Sequence, residues 1–128
     1  MGLAHYSIKV IFSYVSWFPL DHIYICGVND GNNILNTFEA YDTKKEKWQT
    51  LAPLNMKRDE LAVATGPDNK IYAIGGFGGS KNACLNSAER YDPIKNEWEV
   101  IAPLNIPRRA LSAVALPDGI YAIGGFDG

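Results

Sequence analysis

The feature that most constrains this chain is that it repeats itself. Ile71-Tyr72-Ala73-Ile74-Gly75-Gly76 returns as Ile120-Tyr121-Ala122-Ile123-Gly124-Gly125, and a variant, Ile23-Tyr24-Ile25-Cys26-Gly27, precedes both; the spacings are 49 and 48 residues. Leu35-Asn36-Thr37-Phe38-Glu39-Ala40-Tyr41-Asp42 matches Leu85-Asn86-Ser87-Ala88-Glu89-Arg90-Tyr91-Asp92 at an offset of 50, and Trp48 and Trp98 keep that offset. So do Leu51-Ala52-Pro53-Leu54-Asn55 and Ile101-Ala102-Pro103-Leu104-Asn105, with Arg58 and Arg108 following in register. Ordered self-similarity at this period means small structural units that stack on their neighbours.

Within a unit, short apolar runs alternate with turn signals. Leu61 to Thr65 and Leu111 to Ala115 lead through Pro67-Asp68-Asn69 and Pro117-Asp118-Gly119 into the Ile-Tyr strand. The glycine pair ends that strand and opens a polar loop. A strand ending in Tyr-Asp follows, then a turn at Asp42 to Glu46 or Asp92 to Asn96, then a strand that carries the Trp and stops at Pro53 or Pro103. The expected unit is four antiparallel strands without a helix. Ile71, Tyr72, Ala73 and Ile74 put apolar groups on both faces of the sheet, so each sheet needs a neighbour on either side. Sheets repeated around an axis meet that need, giving a β-propeller. Residues 23–60 form the first expected unit, 61–110 the second and 111–128 the start of a third, behind an irregular leader, 1–22, with a candidate strand at Ser13 to Phe18.

Double glycine, Tyr-Asp and Trp at a period near fifty resemble the kelch repeat, over roughly Ile23 to Gly128. The wording Gly124-Gly125-Phe126-Asp127-Gly128 and Ser87-Ala88-Glu89-Arg90-Tyr91-Asp92-Pro93 is most similar to the kelch-like (BTB-kelch) adaptor proteins. The resemblance implies an all-β, kelch-type propeller fragment of about two and a half four-stranded blades, against the about 4–8 blades of a closed propeller. Unit 1 departs from the pattern at Val28, which replaces the second glycine, and no Pro-Arg-like lead-in precedes Ser13. A truncated product, a fragment of a longer protein, or self-association through open blade edges is expected.

Composition narrows the function. The 128 residues are 47% hydrophobic and 20% charged, with a formal charge of -2, which argues against a nucleic-acid surface. Cys26 and Cys84 are too few for a disulfide framework, so a reducing, cytoplasmic setting is expected. The apolar run Val10 to Leu20 is shorter than the about 20 residues that span a bilayer, and it lacks a clean cleavage site. Tyr6 stands where a myristoylation signal beginning Met1-Gly2 wants Ser or Thr, so no membrane partner is expected.

Groups for catalysis are scarce. With only His5 and His22, neither a metal site nor a His-based triad is expected. Copper oxidase chemistry, known in some kelch propellers, wants histidines that this chain lacks. Gly75-Gly76-Phe77-Gly78-Gly79 has no following Lys-Ser/Thr and is read as repeat punctuation rather than a phosphate loop. No cofactor is expected. Tyr41, Tyr91, Trp48 and Trp98 could form a stacking platform, but burial between blades is the expected use.

The units differ in the loops after the glycines and after the Pro-x-Asn segments, and strand geometry puts both loop types at one rim. In kelch-like adaptors this face receives a short peptide. By register the resemblance implies partner binding at Asn29, Asp30, Phe77, Phe126, Asp59, Glu60 and Arg109, with Arg58 and Arg108 either facing the ligand or bonding backbone carbonyls of the adjacent blade. The expected function is protein–protein interaction, with substrate recognition for a cullin-RING ubiquitin ligase implied by the resemblance. The BTB contact with the cullin is then expected on a longer parent or partner chain. Actin binding through the same blades is the alternative, and an enzyme of the kelch oxidase type ranks last.

Overall fold

The computed structural model describes residues 10–17, as backbone, and 22–128. Met1-Gly2, Tyr6, His5 and Phe18 lie outside the described residues. Every described element is a strand, and every strand pairing is antiparallel. The first sheet runs in order β1 (Val10–Trp17), β2 (His22–Asn29), β3 (Phe38–Asp42) and β4 (Lys47–Leu51). After the two-residue β5 (Arg58–Asp59) comes the second sheet, built from β6 (Ala62–Thr65), β7 (Ile71–Ile74), β10 (Ala88–Asp92) and β11 (Glu97–Ile101). Two short strands, β8 (Phe77–Gly78) and β9 (Ala83–Cys84), interrupt it in sequence. A hairpin, β12 (Ser112–Leu116) with β13 (Gly119–Ile123), completes the chain as a third sheet of two strands.

This is an all-β partial propeller, as the repeat predicts. The innermost strand of the second blade, β6, contacts both β1 and β12, so the three sheets lie side by side about a common centre. The opening strand of blade 1 begins at Val10, three residues ahead of the expected Ser13, and its pairing extends to Val10↔Asn29. The cause is visible in β2. Gly75 and Gly76 take φ values of 63° and 103° and end β7 at Ile74, whereas Val28, at the register of Gly76, stays extended and carries β2 on to Asn29.

Close approach also demands the glycine pair. A Cβ on Gly75 would lie 2.6 Å from the Arg108 carbonyl oxygen, and one on Gly76 2.4 Å from that of Asp59. The glycines let the end of the second strand press against the backbone leading into a blade.

Each Tyr-Asp motif closes the turn to the outermost strand. The Asp42 carboxylate accepts the amides of Lys44 and Lys45 at 3.0 Å, and Asp92 those of Ile94 and Lys95 at 2.9 and 3.4 Å. Glu46 and Asn96 then adopt left-handed φ values of 53° and 51° to reverse the chain.

The core lies between blades. Phe38, fully buried on β3, meets Tyr91 edge-on at 4.7 Å and Trp98 at 5.0 Å on the second blade, with Cys26, Leu54, Leu61, Ile71 and Ala73 around them. A second cluster, Ala62, Ile74, Ala88 and Leu111, joins blade 2 to the hairpin. Tyr41 and Tyr91 are buried as expected, but Trp48 and Trp98 are only half-buried. Both sit on outermost strands where, with Leu51 and Ile101, they are the half-buried positions among exposed ones, so the expected burial between blades is partial there. Trp98 still crosses the blade interface, donating its indole N–H to Ala52 O at 2.9 Å. On the hairpin, Val114, Leu116, Tyr121 and Ile123 are exposed.

Candidate functional site

The two loop types do meet at one rim, and short strands hold them there. The three-stranded sheet β5–β8–β9 pairs the lead-in of blade 2 with the loop after its glycines, in register Arg58↔Gly78 and Asp59↔Phe77. The hairpin repeats this arrangement as a single bridge, Arg109↔Phe126, with both amides donating at 2.9 Å.

Asn29, Phe77 and Phe126 occupy one register position after the glycines of successive units; Asp59 and Arg109 share another, in the lead-ins. Each lead-in side chain reaches the loop of the preceding blade. Asn29 donates its side-chain amide to Asp59 at 2.9 Å. Arg109 instead holds its guanidinium carbon 4.9 Å from the Phe77 ring centre and 5.2 Å from that of Phe126. The same backbone geometry thus carries an amide–carboxylate bond at one blade junction and an aromatic–cation–aromatic stack at the next. Glu60 completes the second cluster, its carboxylate 3.7 Å from Arg109 Nε.

Arg58 is a correction to the expected partner-binding set. It is 1% exposed and donates to Gly75 O at 2.8 Å, Ser87 O at 2.9 Å, Ser87 Oγ at 2.9 Å and Glu89 Oε2 at 3.1 Å. Of the two roles open to it, bonding of backbone carbonyls is the one observed, and the carbonyls, of Gly75 and Ser87, belong to the second unit. Asp59 is buried as well and meets its partner Asn29 within the chain. Arg108 repeats one of the Arg58 bonds, to Gly124 O at 2.8 Å, and is half-buried. Asp30 caps its own loop, accepting the amides of Asn32 and Asn33 at 2.9 and 2.7 Å. Glu60, Phe77, Phe126 and Arg109 remain together and accessible, with Phe126 52% exposed.

Beside Phe77, between the loops of units 1 and 2, lies an open groove of about 470 Å³ whose walls include Asn32, Asn33, Lys57 and Asn82. These side chains were not among the expected contacts. They lie in loops that vary between units, and no repeat marks them out individually. Glu89 was missed too, although its recurrence as Glu39 was a usable signal. Buried at 1% exposure, it accepts the Asn55 and Met56 amides at 2.7 and 3.1 Å besides binding Arg58.

The two cysteines differ in chemistry. Cys26 is buried in the core, and burial, with Arg58 pulling the other way and Glu89 adding to it, pushes its thiol up to about 12. Cys84 is half-buried at the rim, its thiol pointing to Phe126 O at 3.7 Å. Because only the thiolate alkylates, iodoacetamide at neutral pH is expected to label Cys84 on the folded chain and Cys26 only after denaturation, as read by peptide mass spectrometry. Equal labelling of both in the folded chain would contradict this core placement. Among the described residues no group of three His, Cys, Asp or Glu is placed to hold a metal ion, and no helix is long and apolar enough to cross a membrane.

Comparison with known proteins agrees with the repeat. A Kelch repeat and BTB domain-containing protein of Caenorhabditis elegans is 42% identical over 57 residues, which is 44% of this chain and 10% of that protein. Human Kelch-like protein 4 is 39% identical and mouse Kelch-like protein 1 40% identical, each over 51 residues, 40% of this chain and 7% of the relative. The matched stretch is thus a tenth or less of each relative's length. The Kelch motif family matches residues 21–55 and 61–105, together more than half of the chain. With the strand order, the glycine pairs and the Tyr-Asp turns already in place, the chain belongs to the Kelch motif family.

Proposed function

We propose that this chain is a protein-interaction module that holds a protein or short peptide at the rim formed by its lead-ins and post-glycine loops. The observation that carries the reading is the change of chemistry at fixed register: Asp59 with Asn29 at one blade junction, Arg109 with Phe77 and Phe126 at the next. A backbone that stays constant while its loop side chains vary is how a scaffold makes a recognition surface. The relatives include a Kelch repeat and BTB domain-containing protein and Kelch-like proteins, which supports reading this recognition as that of a ubiquitin ligase adaptor whose cullin contact is made elsewhere. The exposed apolar side chains of the β12–β13 hairpin support a second contact, pairing of that edge with further strands.

Affinity capture from a cell lysate, with the full chain and its Arg109→Glu variant, tests the rim. Reversing the charge is expected to abolish retention of a subset of proteins. Identical sets of retained proteins would exclude the rim, and retained proteins whose ubiquitination is unchanged when an excess of this chain competes for them in cells would exclude the ligase assignment.

A further inference from the structure

We infer that the outer edge of β13, with the grooves at its two ends, is a docking site for a β-hairpin of a separate polypeptide. The first strand of that hairpin reads Ser-x-Glu-x-Tyr and its second carries a Trp. The inference deepens the edge contact proposed above and is independent of the rim. Its ground is the internal repeat, because β7, the register mate of β13, shows how such an edge is filled. β7 pairs with β6 on one side and with β10 on the other, Ile71 opposite Tyr91, Ala73 opposite Glu89 and Ile74 opposite Ala88. β13 pairs with β12, and among the described residues nothing pairs with its other edge. Such an edge is a template for a further strand.

The donors for that strand are already in place. In unit 2 the Asn55 and Met56 amides donate to the Glu89 carboxylate at 2.7 and 3.1 Å, and the Gly75 amide donates to Ser87 O at 3.0 Å. Their register mates are Asn105, Ile106 and Gly124, whose amides make no hydrogen bond among the described residues. Arg58 donates through one Nη to Gly75 O and through the other to Ser87 Oγ and Glu89. The Arg108 side chain repeats the first of these bonds, to Gly124 O at 2.8 Å, and among the described residues its second Nη makes none. A serine and a glutamate two residues apart on an incoming strand complete the set. The donors are held by the fold, so little ordering cost remains on this side of the contact.

The grooves select the large side chains. At the first blade interface the rings of Tyr91 and Trp98 rest on Phe38, with Leu51 and Leu54 in the same cluster. The register mates of these three, Ala88, Ile101 and Leu104, wall the open groove of about 340 Å³ between blade 2 and the hairpin. Ala52 O accepts the Trp98 indole N–H at 2.9 Å, and its mate Ala102 lies on the same groove wall. A second groove of about 320 Å³ is bordered by Ile106, Arg108 and Gly124, the mates of the Met56, Arg58 and Gly75 that bond Ser87. Ser, Glu and Tyr at alternate positions share one face of a strand, so a single incoming strand presents all three together. Main-chain bonds along β13 then supply affinity, and the two grooves supply specificity.

The chain supplies its own probe, a synthetic peptide of residues 85–101, which spans β10 and β11 and carries Ser87, Glu89, Tyr91 and Trp98. Labelled with fluorescein and titrated with the full chain, it is expected to bind saturably in anisotropy and to slow amide exchange in β13. The changes Glu89→Gln and Trp98→Ala, made in the peptide alone, should each weaken binding about tenfold or more. Arg108→Met in the chain should cost a similar factor and shrink the effect of the peptide's Glu89→Gln, the coupling expected of a direct contact. Sedimentation without peptide tests the other occupant: a dimer with β13 protected, which the peptide does not dissociate, assigns the edge to a second copy and overturns the separate hairpin. Absence of saturable binding, equal binding of a scrambled peptide, or binding that leaves β13 exchange unchanged also overturns it. Each of these results leaves the rim reading standing, because that reading is decided by capture with the Arg109 variant.

Discussion

Exchanging Arg58 for methionine is expected to lower the free energy of unfolding by about 3–5 kcal/mol, the range for breaking a buried ion pair at one partner. Arg58 and Glu89 are each 1% exposed and 3.1 Å apart. Without the guanidinium, the Glu89 carboxylate stays in the interior with the Asn55 and Met56 amides to hold it, the Gly75 carbonyl loses the Arg58 donor, and the Ser87 carbonyl loses it too while keeping the Gly75 amide. A double variant, Arg58→Met with Glu89→Leu, removes the stranded charge and should recover part of the loss. Recovery stays incomplete, because the two amides then lack an acceptor at about 1–3 kcal/mol each. Urea unfolding followed by circular dichroism decides the matter, provided the slope with denaturant is unchanged. A single variant within about 1 kcal/mol of the parent would mean that the network is incidental to the fold.

That network marks the boundary of what could be read in advance. The Ile-Tyr strands, the Pro-Asp turns and the Tyr-Asp turns are local: each is set by alternation or by a side chain reaching its own backbone two or three residues on, so order in the sequence is order in space. The bond from Arg58 to Glu89 joins positions 31 residues apart, in the lead-in and the third strand. Both recur at the 50-residue offset, Arg58 with Arg108 and Glu89 with Glu39, yet recurrence says that a position matters and not which position it meets. Arg58 was therefore legible as structural or as ligand-facing, and only the fold decided. The strands β5, β8 and β9, each of two residues, leave no periodicity to detect. The rim was legible to the extent that it follows strand direction: Phe77, Phe126, Arg109 and Glu60 do come together. The stack itself depends on a lead-in side chain reaching the preceding blade, a distance that the chain alone does not fix.

Phe38→Ala is expected to be the most damaging change to the contact between the first two blades, at about 3–5 kcal/mol. Phe38 is fully buried and lies within 5.7 Å, ring centre to ring centre, of Tyr24, Tyr91 and Trp98, so its removal takes contacts from both blades at once. The repeat supplies an internal control. The register position of Phe38 in the second unit is Ala88, and the space beside Ala88, between blade 2 and the hairpin, is an open groove of about 340 Å³ bordered by Ile74, Ile101, Leu104 and Ile120. Truncating Phe38 gives the first interface the small side chain that the second already has. The loss should therefore appear as loosening between blades and not as loss of strands. Trp98, whose indole N–H is tied to Ala52 O across that interface, reports on it directly. Its fluorescence should shift to the red as water enters, and amide exchange should speed up in β3 and β10 while the pairing within each sheet persists. Unchanged Trp98 emission alongside full destabilisation would place the damage within blade 1 and refute the inter-blade role assigned to Phe38.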